Sequence, residues 1–184
     1  GLIDFIIFVF LITKIHSMKK VMFISLGILM SFIFSCTPSV EEAMKYNNKI
    51  TTEQTKISEK IEILNDSYDN YIAEEMKLAH KSALDQTLKG INEIQKLEAF
   101  DSDTMFKNSA LHLFNVYKEV LENEHKRIIE LLILPDDRYG KPEIKEFEIL
   151  RNQSIDKVDK EVNKLIKVQE EFSKKYNFVI EDEY

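Results

Sequence analysis

The chain has 184 residues, with 25 lysines and arginines against 32 aspartates and glutamates, for a formal net charge of −7. That balance argues against a nucleic-acid-binding surface and against adsorption to anionic lipid headgroups. The length admits one hydrophobic core of ordinary size rather than two.

Met18-Lys19-Lys20, the apolar run Val21 to Phe34 and then Ser35-Cys36 read as a signal peptide that stops at the only cysteine of the chain. Its parts are a positive start, an apolar core and a small residue before the cut. Ile33-Phe34-Ser35-Cys36 resembles a lipobox, in which a peptidase cuts before a cysteine whose thiol has been acylated. Phe34 is bulkier than the residue usual at its position, which predicts slow cleavage or a tolerant peptidase. A membrane span is the competing reading, but the run of 14 residues falls short of the roughly 20 that cross a bilayer. Joining it to Leu2–Ile15 would place Lys14, Lys19 and Lys20 near mid-membrane, at roughly 2.5 to 3.5 kcal/mol each. Residues 1–17 lack an initial methionine and precede a complete signal peptide, so they are read as an upstream extension outside the natural protein. Residues 18–35 are then the signal peptide, 36–39 the lipidated cysteine and a short tether, and 40–184 the folded domain. With Cys36 acylated no thiol is left for a disulfide, for thiol catalysis or for a cysteine-based metal site. Setting residues 1–35 aside leaves 22 basic against 31 acidic residues, so membrane attachment is expected from the lipid alone.

Beyond Ser39 the apolar residues recur every three or four positions, which is the spacing of one helix face. Ser39-Val40-Glu41-Glu42 is a capping-box pattern and opens a first helix running to about Asn65. Asn65 to Asn70 is a turn by composition. A second helix carries Ile72, Met76, Ala79, Ala83, Thr87, Ile94 and Leu97. Asp101-Ser102-Asp103 caps a third, with Phe106, Ala110, Leu113, Tyr117, Val120, Ile128 and Leu131 on one face, and Pro135 stops it. After Asp136–Lys141, Pro142 suits a first helical turn. The fourth helix carries Ile144, Phe147, Ile155, Val158, Val162, Leu165, Phe172 and Tyr176. The predicted fold is all-α, an up-down-up-down antiparallel four-helix bundle about 40 Å long. Both termini and the Asp101 turn would share the membrane-proximal end. The turns near Ser67 and Arg138 would form the distal end.

Several strings resemble a family of uncharacterised helical surface lipoproteins of Bacteroidetes and spirochaetes. They are Tyr46-Asn47-Asn48-Lys49-Ile50 with Gln54, Ser109 to Phe114, Tyr117 to Val120, Leu131-Leu132 with Pro135-Asp136, and Lys175 to Phe178. The resemblance covers nearly all of the chain after Cys36. It implies a helical lipoprotein of the outer membrane, facing either the surface or the periplasm, and it brings no activity and no site residue. His125 stands where the resemblance implies an aromatic residue.

Chemistry-bearing motifs are sparse. Glu122-Asn123-Glu124-His125 supplies one Glu-x-x-His, half of what a carboxylate-bridged di-iron bundle uses. Lys77 stands three residues before His80 and Ser109 three before His112, so there is no second copy; no metal, no cofactor and exposed or half-buried histidines are expected. There is no Gly-x-Ser-x-Gly turn and no Gly-rich phosphate loop. More informative are polar residues on the apolar seams: Asn47 and Gln54 on the first helix, Glu124 on the third, Arg151 and Gln169 on the fourth. Counting from the turns sets Glu124 level with Arg151 and Asn47 level with Gln169, whereas Glu161 is expected to be an exposed carboxylate. Such buried partners fix helix register. Together with Tyr117 they could instead line a small-ligand pocket. The expected function is therefore a non-enzymatic, lipid-anchored interaction or structural module, the alternative a ligand-binding bundle. Arg138 and Tyr139, side by side in the distal turn, are the candidate contacts for a protein partner.

Overall fold

The computed structural model describes residues 38–180. Cys36 and the segments read above as a signal peptide at 18–35 and an upstream extension at 1–17 lie outside the described residues. Four helices carry the described chain, and no strand forms among the described residues. No helix among them is long and apolar enough to cross a membrane.

Helix α1, Val40–Ser67, opens on the capping box: the Glu42 amide donates to Ser39 Oγ at 3.2 Å and the Ser39 amide donates to the Glu42 carboxylate at 2.7 Å. It runs two residues past the expected stop and tightens into a 3₁₀ turn, Tyr68–Asn70. Helix α2, Ala73–Gln95, begins after Ile72, an extended N-cap residue that is 48% exposed rather than part of the buried face. Leu97 lies beyond the end of α2 yet still packs against the core. Helix α3 runs Met105–Val120, continues through a π-helical turn at Leu121–His125, and ends with Lys126–Leu132. Of its proposed cap, Asp103 does the capping, its carboxylate accepting from the Met105 amide at 2.8 Å. Asp101 and Ser102 instead form a tight turn with φ of 52° and 63°, closed by two backbone hydrogen bonds between Phe100 and Asp103. A 3₁₀ turn at Asp136–Arg138 leads to helix α4, Lys141–Tyr176. Asn177, left-handed at φ 56°, ends α4 with a Phe178 amide bond back to the Ser173 carbonyl at 3.1 Å.

Helix α1 packs chiefly on α2, α2 on α3, and α3 on α4. Buried residues form two clusters. One joins Ala43, Ile50 and Ile57 of α1 to Ile91 and Ile94 of α2, Phe106 to Tyr117 of α3, and Leu165, Phe172 and Tyr176 of α4. The other joins Leu64 and Tyr68 to Met76, Ala79 and Ala83 and to Leu121, Ile128, Ile129 and Leu132, with Phe147, Leu150 and Tyr139 packed against it. Phe172 is the hub of the first, with ring centroids of Tyr46, Phe100, Phe106, Tyr176 and Phe178 between 4.8 and 5.9 Å away. Offset and edge contacts of this kind contribute about 0.5–1.5 kcal/mol per pair beyond area burial.

The inner line of α4 differs from the expected one. Ile144 and Ile155 are exposed at 44% and 45%, while Ser154 and Glu161 are buried. Glu161, expected to be a solvated carboxylate, is only 7% exposed and pairs with Lys164 at 2.6 Å and His112 at 3.1 Å.

Gly90 is the one glycine within the packed helices, and a Cβ there would meet Ile57 Cδ1 at 2.8 Å and Phe114 Cε2 at 3.4 Å. Overpacking of this size costs about 1–3 kcal/mol, against about 1 kcal/mol gained from the better helix propensity of alanine. Gly90→Ala should therefore lower the denaturant midpoint. Adding Ile57→Val, which removes the clashing methyl, should recover most of the loss in the same measurement.

Candidate functional site

A buried polar cluster surrounds the π turn of α3. An α-helix advances its face by 3.6 residues per turn, whereas Val120, Glu124 and Ile128 are two four-residue steps apart. The wider π turn absorbs the surplus, and Leu121, Glu124, His125 and Ile128 are all buried. Three other elements reach this turn. From α2, His80 Nε2 lies 2.7 Å from the Leu121 carbonyl, which can only accept, so this nitrogen carries the proton. From the end of α1, the Tyr68 hydroxyl bonds His125 Nδ1 at 2.7 Å. From α4, Lys157 donates to Glu124 Oε1 at 2.9 Å and to Glu119 Oε1 at 2.6 Å.

Burial dominates the protonation behaviour of the cluster. It holds His125, 4% exposed, in its neutral form and brings its pKa down from the ordinary 6.5 to about 4, with the nearby His80 ring acting in the same direction. Burial likewise pushes the Tyr68 phenol well above its usual range. The hydrogen bonds that Lys157 donates to the Glu119 and then the Glu124 carboxylate raise its pKa and hold the ammonium charged. Glu124 Oε2 is buried without a hydrogen-bond partner, the single such side-chain atom among the described residues.

The expected partner of Glu124 was Arg151. That residue is exposed on α4, and Lys157, six positions further on, reaches the carboxylate instead. The histidine expectation is corrected as well: His125 is buried rather than half-exposed, although His80 is half-buried and His112 exposed. Glu122 of the Glu-x-x-His string faces outward and pairs with Lys118 at 3.8 Å, so it does not meet His125. Among the described residues no group of three histidine, cysteine or carboxylate side chains could hold a metal ion.

The second polar layer pairs Asn47 with Gln169 as expected, but Gln169 and Gln54 are half-buried rather than buried. Gln169 donates to Asn47 Oδ1 at 2.9 Å across α4 and α1, and Asn47 in turn donates to Asn48. Tyr117, 3% exposed, lies 3.4 Å from Ser58 Oγ with Gln54 close to the same hydroxyl, and its pKa is raised by burial. These amides and hydroxyls bond one another. The groove of about 330 Å³ on the outside of α1 and α2 is lined by other residues, among them Lys60, Leu78 and Lys89. Of the loop candidates, Arg138 is exposed, whereas Tyr139 is half-buried against the second core cluster.

The signal for the π turn was present in the sequence as the doubled four-residue step on α3. His80 and Tyr68 carried none, because a lone histidine and a tyrosine at a helix end are common on half-buried surfaces. The chain matches no family model, no curated protein and no solved structure.

Two outcomes are expected from this geometry. Lys157→Met strands a buried carboxylate and should cost about 1–3 kcal/mol in chemical denaturation, while Arg151→Met should stay within about 0.5 kcal/mol. The neutral His125 makes a pH-dependent contribution. It is fully present above the unfolded pKa near 6.5 and is lost as pH falls toward the folded value of about 4, to a total of about 3 kcal/mol. Tyr68→Phe with His125→Phe should remove that part of the acid slope between pH 6.5 and 4, read as the difference between the two stability–pH curves.

Proposed function

We propose that the chain is a lipid-anchored, non-enzymatic lipoprotein of the outer membrane, tethered through Cys36, whose helical domain serves as an interaction or structural module. The observation that carries the reading is the sequence from Met18 to Cys36, a positive start and apolar core that stop at a lipobox-like Ile33-Phe34-Ser35-Cys36. The resemblance to helical surface lipoproteins points the same way. The four helices are read as an up-down-up-down bundle. Two contacts support this: the start of α1 meets the end of α4 through Asn47 and Gln169, and the end of α1 meets the start of α2 and the end of α3 around Tyr68. With only Thr37 and Pro38 between Cys36 and Ser39, the Ser39 end of such a bundle sits at the membrane.

The partner-binding surface is assigned to the distal turn between α3 and α4. Arg138 is free to reach outward there, and Tyr139 is steadied by its contact with the core, where burial raises its phenol pKa. An arginine beside an anchored tyrosine is the kind of pair that carries interface energy. The polar core supports this reading over the ligand-binding one, since its amides and hydroxyls already bond one another.

Cys36→Ser should give a precursor that the lipoprotein peptidase leaves uncut and that takes up no labelled fatty acid; normal acylation of that variant would contradict the anchor. Arg138→Ser should leave folding and lipidation intact while reducing in-cell crosslinking to the partner, whereas unchanged crosslinking would move the contact elsewhere.

A further inference from the structure

Three segments meet at the end of the domain that holds Ser39. The Tyr46 hydroxyl of α1 donates to the Glu98 carbonyl at 3.2 Å, while from α4 Tyr176 donates to Asp101 at 3.1 Å and Lys175 pairs with Asp103 at 3.4 Å. Phe100, in the turn between α2 and α3, has its ring centroid 5.0 Å from those of both Tyr46 and Tyr176. This aromatic layer is only partly covered, since Tyr46, Phe100 and Phe178 are half-buried. Around it Val40, Met44, Met105 and Val179 are exposed at 45%, 39%, 56% and 83%. Val40 and Met44 are one turn apart and so share a face of α1. The charges at this end are answered within it: Glu41 by Lys45 at 2.8 Å, Glu42 by the Ser39 cap and Asp103 by Lys175. Residues 39–45, 96–107 and 174–180 hold five acidic and five basic side chains. The opposite end also exposes apolar residues, Tyr71, Ile72, Ile133 and Ile144, but its turns at 65–75 and 133–144 hold seven acidic side chains against two basic. Four of those acids, Asp66, Asp69, Asp136 and Asp137, are exposed and form no ion pair among the described residues.

We propose that the Ser39 end is a lipid-contact surface, which rests on a zwitterionic membrane with Val40, Met44, Met105 and Val179 at the depth of the headgroups. The occupant follows from the length of the tether. Only Thr37 and Pro38 separate Cys36 from Ser39, and three fully extended residues span roughly 11 Å. The headgroup layer is itself roughly 5–8 Å thick, so an acyl chain on Cys36 leaves this end no room to stand clear of it. Apolar side chains backed by tyrosines with free polar tips suit that depth, where one side of a ring is apolar and the other wet. Lysine stems such as that of Lys175, whose ammonium lies 5.0 Å from the centre of the Tyr176 ring, cover apolar surface while the charge stays in water. The lipid class follows from charge. Glu181, Asp182 and Glu183 add three carboxylates outside the described residues, which disfavours anionic lipid and leaves an apolar contact with zwitterionic lipid. The inference rests on the Cys36 anchor and adds a contact made by the folded domain itself.

The test uses the full lipidated chain, extracted in mild detergent and reconstituted into phosphatidylcholine vesicles. The chain has no tryptophan, so a single introduced indole reports its own surroundings. Phosphatidylcholine brominated on its acyl chains should quench the emission of Met44→Trp and of Met105→Trp at least about twofold, and leave that of Ile72→Trp, exposed at the opposite end, unchanged. Adding Val40→Glu and Met44→Glu to Met105→Trp should restore most of the emission, while the chain still floats with the vesicles. Flotation reports the anchor and quenching reports the contact. A chain that floats but shows no quenching at Met44→Trp and Met105→Trp would overturn the contact and leave the anchor standing. Equal quenching at Ile72→Trp would overturn it too, since the domain would then have no preferred end toward the lipid. A chain that does not float would take both the anchor and the contact with it.

Discussion

The described structure depends on one misfit in α3. Between Val120 and Ile128 the helix holds more residues than two regular turns accommodate, so an unbroken α-helix would rotate its lower half by about 80° and carry Ile128 and Leu131 away from the core. Widening a single turn keeps both halves facing inward. The consequence is that a glutamate and a histidine are buried along with the leucine and isoleucine. Each burial is offset by a group from a different helix: Tyr68 for His125, Lys157 for Glu124, and His80 for a carbonyl of the turn itself. One wide turn thereby ties α1, α2 and α4 to α3, at the expense of one carboxylate oxygen left without a partner.

The helical class, the four segments and the Asn47–Gln169 layer were legible in the sequence because they rest on long periodic runs and on polar residues placed where leucine is expected. The inner line of α4 was not. Periodicity assumes that isoleucine marks the core, yet Ile144 and Ile155 face outward while Ser154 and Glu161 face inward. Lysine makes this arrangement possible. Its apolar stem covers the helix surface while its ammonium stays near water, as Lys157 and Lys164 do beside Glu124 and Glu161. The register error at Glu124 has a geometric origin. Arg151 and Lys157 are six residues apart, about 9 Å along a helix. Counting from the turn ignored both the wide turn in α3 and the 3₁₀ turn at Asp136–Arg138. Tyr68 and His80 could be found only once the chain was folded, since their partners are 57 and 41 residues away.

This economy of the core bears on function. Buried polar groups that bond one another fix which packing the helices adopt, as a lone core amide does in coiled coils. The candidate contact residues Arg138 and Tyr139 lie on the outside, at the turn between α3 and α4. In the reading proposed above, a tether at Cys36 would leave the turn between α3 and α4 as the far end of the domain, and the excess of acidic residues disfavours adsorption to anionic headgroups.

The wide turn of α3 acts as a packing device, held shut by Tyr68, His80 and Lys157, and not as the mobile mouth of a ligand site. Amide hydrogen exchange on the full chain tests it most directly. The amides of Leu121–Lys126 should exchange only through global unfolding, as slowly as those of Ala110–Tyr117 on the same helix. Exchange there faster by several orders of magnitude, with Ala110–Tyr117 still protected, would mean that the turn opens on its own and would contradict the account.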